Sequence, residues 1–183
     1  MQSPTTRLDH FRNPEYQPGS AIKRGVWFLT EWIFFKSIFP FSSIKCSILR
    51  WFGAQIGRGV VIKPHVRIKH PWFLNIGDYT WIGENVWIDN LGQVNIGAHC
   101  CLSQGSMLLC GNHNYKKSTF DLIIGPITLE NGVWIGAQAV VCPSVYCGSH
   151  SVLSVGSVAQ KNLDPYTVYS GVPAVPVRKR EIA

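Results

Sequence analysis

Aliphatic side chains recur along most of this chain at intervals of six residues. Ile56, Ile62 and Ile68 form one run, Ile76, Ile82 and Ile88 a second, and Ile96, Leu102 and Leu108 a third. After a gap the spacing resumes at Leu129, Ile135, Val141, Cys147 and Leu153. Between the early runs the register slips by two residues, at "KHPWFLN" and "NLGQVN". The second position of the hexad is often glycine (Gly57, Gly77, Gly83, Gly97, Gly136, Gly148), and the fifth is small or β-branched, as at Val60, Val66, Thr80, Val86, Ser106, Ala139, Val145 and Ser151. A period of six fits neither an amphipathic helix nor a long strand. It fits a short strand and a corner, taken three times per turn, with successive turns stacked as parallel strands about 4.8 Å apart. The first position points into a triangular prism, glycine at the second is expected to relieve the backbone at the corner, and the small fifth position fits the crowded interior. The pattern predicts an all-β fold, a hexapeptide-repeat solenoid over about residues 54–160.

Two segments lie outside the repeat. It stops over about 111–126, and the single histidine of that loop is His113, in "GNHNY". Before the repeat, residues 1–53 form an extended and helical region rich in aromatics. Its first helix is predicted over 20–39, carrying Trp27, Phe28, Trp32, Phe34, Phe35 and Phe39 and ended by Pro40. A second is predicted from an N-cap at Ser42 or Ser43 to Gly53, with Ile44, Ile48, Leu49 and Phe52 on one face. The aromatic load suits packing on the first coil or on a neighbouring subunit; the alternative is peripheral contact with a membrane surface. Residues 161–183 form a C-terminal tail.

Composition changes this picture little. At 46% hydrophobic and 15% charged the chain is ordinarily globular, with 17 glycines and 11 prolines for frequent turns. The net charge of +7 favours an anionic partner, but basic residues are not interleaved with aromatics in a nucleic-acid pattern, so no nucleic-acid partner is expected. The dense basic cluster is "VRKR" at 177–180. None of the six cysteines forms a Cys-x-x-Cys pair, which fits free thiols in a reducing compartment. The start of the chain has no apolar signal core and no charge-free window is long enough to span a bilayer, so the expected location is cytoplasmic, at most reaching the inner face of the membrane.

"IGENVWIDN", "NGVWIGAQAVVCPSV" and "YSGVPAVPVRK" together resemble the hexapeptide-repeat O-acetyltransferases, nearest to the colanic-acid and capsule-type sugar acetyltransferases and related to the maltose and galactoside enzymes. The resemblance runs from about residue 50 to the end, and the aromatic N-terminal region is similar to the capsule-type subgroup. It implies a left-handed parallel β-helix, a homotrimer, acetyl-CoA as acetyl donor, and a hydroxyl of a sugar or polysaccharide precursor as acceptor. It also implies that the loop breaking the solenoid carries the catalytic histidine, here His113, in a cleft between two prisms. Residue type agrees: an alcohol attacks a thioester only as its proton is being removed, and imidazole titrates near neutral pH. Cys110 offers a rival acyl-enzyme route through a Cys–His pair. The oxyanion needs a donor, most simply a backbone N–H at a coil corner.

By the same resemblance Asn85 matches an acceptor-holding position. Asp89 and Asn90 lie one strand on, where Asp89 either orients the imidazole or grips a sugar hydroxyl; corner turns alone also favour Asn and Asp. Tyr115 and Asp121 belong to the loop. The donor is expected along Trp134, Gly136 and Ala137 and then Val155, Gly156 and Ser157, with its phosphates on Lys161 and the cluster Arg178, Lys179 and Arg180. No metal is expected. The alternatives are a zinc-dependent hexapeptide-type carbonic anhydrase, suggested by His65 and His70 at a His-x4-His spacing with His99 further on, and a non-catalytic trimeric binding protein. His10 and His150 read as surface residues.

Overall fold

A computed structural model describes residues 5–183; the first four residues of the expected N-terminal region lie outside the described residues. Each coil lays one short strand on each of three faces. The first face stacks Gln55–Ile56, Leu74–Ile76, Val94–Ile96, Ile127–Leu129 and Tyr146–Cys147, all parallel. The second stacks Val61–Ile62, Trp81–Ile82, Cys101–Leu102, Trp134–Ile135, Val152–Leu153 and Thr167–Ser170. The third stacks Arg67–Ile68, Trp87–Asp89, Met107–Leu109, Val140–Val141 and Val158–Ala159. Every strand pairs residue for residue with its equivalent one coil on, so Ile62 meets Ile82, Leu102, Ile135 and Leu153 in turn. This is the parallel β-helix that the six-residue period predicts.

The interior is the column of first-position side chains. Ile62, Ile82, Ile88, Leu102, Leu108, Ile135, Val141 and Leu153 are fully buried, with Val66, Val86, Ser106, Ala139 and Ser151 at the fifth position beside them. The corners work differently from expectation. At most corners the residue three beyond the aliphatic position takes the left-handed conformation, at φ between 56° and 69°: His65, Tyr79, Asn85, His99, Gln138, Ser144 and His150 do so, as do Gly59, Gly105, Gly132 and Gly156, whereas the longer corners after Ile68, Ile88 and Leu108 do not follow this rule. The second-position glycines serve close approach between coils instead. A Cβ on Gly77 would sit 2.5 Å from the Ala98 nitrogen, and one on Gly136 2.6 Å from the Val155 nitrogen.

Two helices close the N-terminal end of the prism: α1 (Ala21–Phe34) and α2 (Ser42–Trp51). Ser20 caps α1 by accepting from the Lys23 N–H at 3.2 Å. The helix ends five residues earlier than the pattern implies. The Ser37 hydroxyl donates to the Ile33 carbonyl at 2.6 Å and accepts from the Phe39 N–H, drawing the backbone out of the helix before Pro40. Nor is Ser42 an N-cap; it is the first residue of α2, and its hydroxyl bridges the N–H and C=O of Ile62. The first coil would otherwise be an open edge of three strands. Side chains seal each of them: Trp27 donates to the Ile68 carbonyl at 2.8 Å, Glu31 accepts from the Ile68 N–H at 2.8 Å, Lys45 donates to the Lys63 carbonyl at 2.8 Å, and Arg50 to those of Ile56 and Gly57.

At the other end the solenoid outlasts the expected boundary at residue 160, because Thr167–Ser170 adds a further parallel strand to the second face. The chain then turns at 171–174, with a cis Val172–Pro173 peptide, and returns as Val175–Lys179, antiparallel to that strand.

Candidate active site

The chain leaves the prism once, between Met107–Leu109 on the third face and Ile127–Leu129 on the first. The excursion is an antiparallel hairpin pairing Gly111–His113 with Leu122–Ile124. Its base is pinned by contact: a Cβ on Gly111 would lie 2.6 Å from Leu91 Cδ1, and one on Gly125 2.5 Å from the Ser144 nitrogen. His113 is half-buried near the hairpin tip. Its Nδ1 lies 2.9 Å from the Phe120 carbonyl oxygen. A carbonyl only accepts, so Nδ1 carries the proton and Nε2 is left with its lone pair. The ring stacks on Phe120 at 4.3 Å and 7°, and Phe11 packs at 5.6 Å on it. Phe120 itself sits at φ 52°, an uncommon conformation for a bulky side chain, and it is this residue's carbonyl that orients the imidazole. The N-terminal segment braces the loop: the Arg7 N–H donates to the Ser118 carbonyl at 2.7 Å.

Of the two roles open to Asp89, the orienting one lacks a contact: the structure shows no bond to His113. Asp89 forms an ion pair with Lys69 at 2.9 Å and stands by the foot of the hairpin, its Oδ2 3.9 Å from a Cβ built on Gly111. The orienting role falls to the Phe120 carbonyl. Asn90 is fully buried, accepting from the N–H groups of Lys69 and His70 and donating to the His70 carbonyl at 2.6 Å, so its side chain serves the coil and is not open to a sugar. Asn85 is an exposed corner residue at φ 59°. Tyr115 is exposed at the hairpin tip, and Asp121 is paired with Lys117 at 2.8 Å. Cys110 is fully buried and its thiol is pushed up to about 11 by that burial, so it offers no thiolate to a Cys–His pair. His65 and His70 occupy different corners of the first coil. His65 Nδ1 bonds the Lys36 carbonyl at 2.9 Å and His70 stacks on Trp72 at 5.0 Å, so they are not paired ligands. No group of three or more His, Cys, Asp or Glu arranged to hold a metal ion occurs among the described residues.

The second face carries a groove of about 930 Å³. Trp134, Gly136, Ala137 and Val155 line it, and Arg178, Lys179, Arg180 and Glu181 wall one side, a net positive rim. Seven expected donor-binding residues therefore meet here: Trp134, Gly136, Ala137, Val155, Arg178, Lys179 and Arg180. Trp134 is held by a bond from its Nε1 to Ser103 Oγ at 2.9 Å, and Arg180 by bonds to the Gly132 and His150 carbonyls at 2.9 and 3.1 Å. Gly156 adjoins the groove at the following corner. Ser157 is buried, its hydroxyl accepting from the Gly171 N–H at 3.0 Å, and exposed Lys161 is not part of the lining. Ser103, Gln104 and Ser154 also line the groove and were not expected. Like them, Phe11 and Phe120 carry no hexad signal; the coil stacking and the loop fold bring them in.

The groove and the imidazole lie on opposite sides of one chain. Each coil runs through the first, second and third faces, and the hairpin stands on the edge between third and first. That edge is opposite the second face. The outward columns of the faces also differ: Gln55, Asn75, Asn95 and Thr128 make the first mostly polar up to Tyr146, whereas Val61, Trp81, Cys101, Trp134 and Val152 on the second and Trp87, Met107, Val140 and Val158 on the third, after Arg67, are mostly apolar.

No protein-family model matches the chain. It is 36% identical over 179 residues to the protein named as colanic acid biosynthesis acetyltransferase WcaF of Escherichia coli (strain K12), covering 94% of this chain and 96% of that protein. It is 28% identical to the galactoside O-acetyltransferase of the same organism, covering 73% and 67%. Among solved structures, galactoside acetyltransferase in complex with coenzyme A superposes with a TM-score of 0.78 at 25% identity, covering 86% of this chain and 80% of that one. The hexapeptide-repeat acetyltransferase VCA0836 of Vibrio cholerae, complexed with acetyl coenzyme A, shares the fold with a TM-score of 0.81 at 22% identity, covering 95% and 97%.

Proposed function

The chain belongs to the hexapeptide-repeat acetyltransferase family, and from that membership we propose that it transfers acetyl from acetyl-CoA to a hydroxyl of a sugar or polysaccharide precursor, with His113 as general base. The observation that carries the role of His113 is the bond from its Nδ1 to the Phe120 carbonyl, which presents Nε2 as the basic atom. The Nε2 lone pair takes the hydroxyl proton as the sugar oxygen attacks the thioester carbonyl, the C–S bond breaks, and the imidazolium returns the proton to the departing thiolate. The second-face groove takes the donor. Small Gly136 and Ala137 admit the pantetheine arm, and Arg178, Lys179 and Arg180 face its phosphates. Asn85, Asp89 and Tyr115 are the acceptor-side candidates.

The working unit is a homotrimer. One chain holds its base and its donor groove on opposite sides, so the reaction needs the hairpin of one protomer beside the second face of the next, and the apolar columns of the second and third faces suit that packing. The six cysteines are all free, in keeping with a cytoplasmic enzyme using cytoplasmic acetyl-CoA. The test is release of free thiol from acetyl-CoA across a panel of sugars and sugar conjugates. Acceptor-dependent release supports the reading; tight acetyl-CoA binding without release on any acceptor would leave a binding protein instead.

A further inference from the structure

The helices that seal the first coil present an apolar outer surface. Ile22, Trp32, Ile38 and Trp51 are 81%, 63%, 80% and 79% exposed, and Phe28 and Phe41 are exposed beside them. α1 and its C-terminal residue turn Trp27, Glu31, Phe34 and Phe35 toward the prism, whereas Ile22, Phe28, Leu29 and Trp32 face outward and stay exposed. Exposed apolar side chains gathered on one end of a fold mark a docking face. Among the described residues no helix is long and apolar enough to cross a membrane.

The charges of the cap are unbalanced. Lys23, Arg24, Lys36 and Arg50, with the buried Lys45, stand against Glu31 alone, and that carboxylate is buried and paired with Lys36 at 2.8 Å. Arg24 and Lys36 join Arg67 and Lys69 along a cleft of about 290 Å³ at the flank of α1, where Glu31 and Asp89 are the acids. Exposed Trp and Phe mixed with Lys and Arg on a short helical cap is the composition of a surface that settles at a lipid headgroup layer.

We propose that this cap docks on an anionic lipid bilayer, with α1 and α2 in the headgroup plane and the prism standing away from it. A second copy of the chain is a poorer occupant, because it would bring one positive cap against another. A neighbour in a side-by-side assembly would use the prism faces and leave the end free. The hairpin bearing His113 leaves the prism after the third coil, two to three strand spacings or roughly 10–14 Å above the sealed end. Docking therefore holds the imidazole near a glycan carried at the membrane surface. The docking does not depend on the acetyl-transfer reading, and the two fail separately.

The experiment is flotation of the full chain with vesicles of phosphatidylcholine alone or with phosphatidylglycerol added, with acetyl-CoA binding and oligomer size measured on the same protein. The protein floats with the anionic vesicles and not the neutral ones. Added salt releases it, and the triple variant Trp32→Ser, Ile38→Ser, Trp51→Ser lowers partition about tenfold or more. Acetyl-CoA binding and oligomer size stay unchanged. The pair Lys23→Gln, Arg24→Gln lowers partition several-fold and serves if the triple variant does not fold. Wild-type protein that stays unfloated with anionic vesicles at low salt overturns the proposal. So does a triple variant whose oligomer changes size while its partition does not, which would make the cap an interface between copies.

Discussion

Substituting asparagine for His113 separates the chemistry of the imidazole from its structural bond. The amide nitrogen of Asn takes the place of Nδ1 and donates the same bond to the Phe120 carbonyl, 2.9 Å away in the parent. What is lost is Nε2. A general base is worth about 10²–10⁴ in rate, so kcat falls by that factor, about 3–5 kcal/mol of barrier. His113→Ala loses as much and also leaves the carbonyl unpaired at a half-buried site, a further stability cost of about 1 kcal/mol that the Asn variant avoids. Donor affinity changes little in either, because the residues that line the groove, and not the imidazole, hold the donor's arm and phosphates. Thiol release measures kcat with the best acceptor of a sugar panel, calorimetry measures acetyl-CoA affinity, and thermal melting reads the loop. An Asn variant that keeps more than about a tenth of kcat refutes the base assignment. Parallel loss of donor binding refutes the division of roles between imidazole and groove.

Three other outcomes follow from the geometry. Arg178→Ala and Arg180→Ala each raise KM for acetyl-CoA about tenfold with little change in kcat, and the effect shrinks when the donor lacks its 3′-phosphate. His70 is only 7% exposed, and burial first, then the Lys69 cation, hold it down to about 4. As pH falls below about 6.5 the unfolded chain takes the proton first, so stability that is complete above that value is lost down to about 4, by roughly 3 kcal/mol. Urea midpoints of wild type and His70→Phe should therefore converge across that window. Gly77→Ala costs about 1–3 kcal/mol, because its Cβ meets only backbone, whereas Gly105→Asn is nearly neutral, since Gly105 is at φ 67° with its closest neighbour the flexible Gln138 side chain at 3.6 Å.

The prism was legible because its inward column is aliphatic at every coil and no other packing repeats at six. The corner chemistry was not. Side chains as different as His65, Tyr79 and Asn85 share one left-handed conformation, so residue identity hides it, while the visible glycines answer to contacts one coil away. Half of the lining of the second-face groove could be placed from Trp134–Ala137, Val155 and the basic tail. Ser103 and Gln104 could not, because they come from the coil below and only the register brings them in. Asn90 and Ser157 look available in the sequence, but each satisfies backbone groups of a neighbouring segment. The Phe11–His113–Phe120 stack joins residues whose spacing follows no period, and it depends on how the hairpin folds and on where the N-terminal segment runs.

The claim that the site is shared between protomers is tested by complementation. His113→Asn lacks the base, and Ala137→Trp fills the donor groove; each protein alone is inactive. Co-expressed in equal amounts and assembled at random, they restore about a quarter of wild-type activity, because a cleft works when an intact hairpin meets an intact groove from the next chain. If mixed assemblies form, verified by mass, and stay inactive, or if a monomer proves active, base and donor meet within one chain and the account is contradicted.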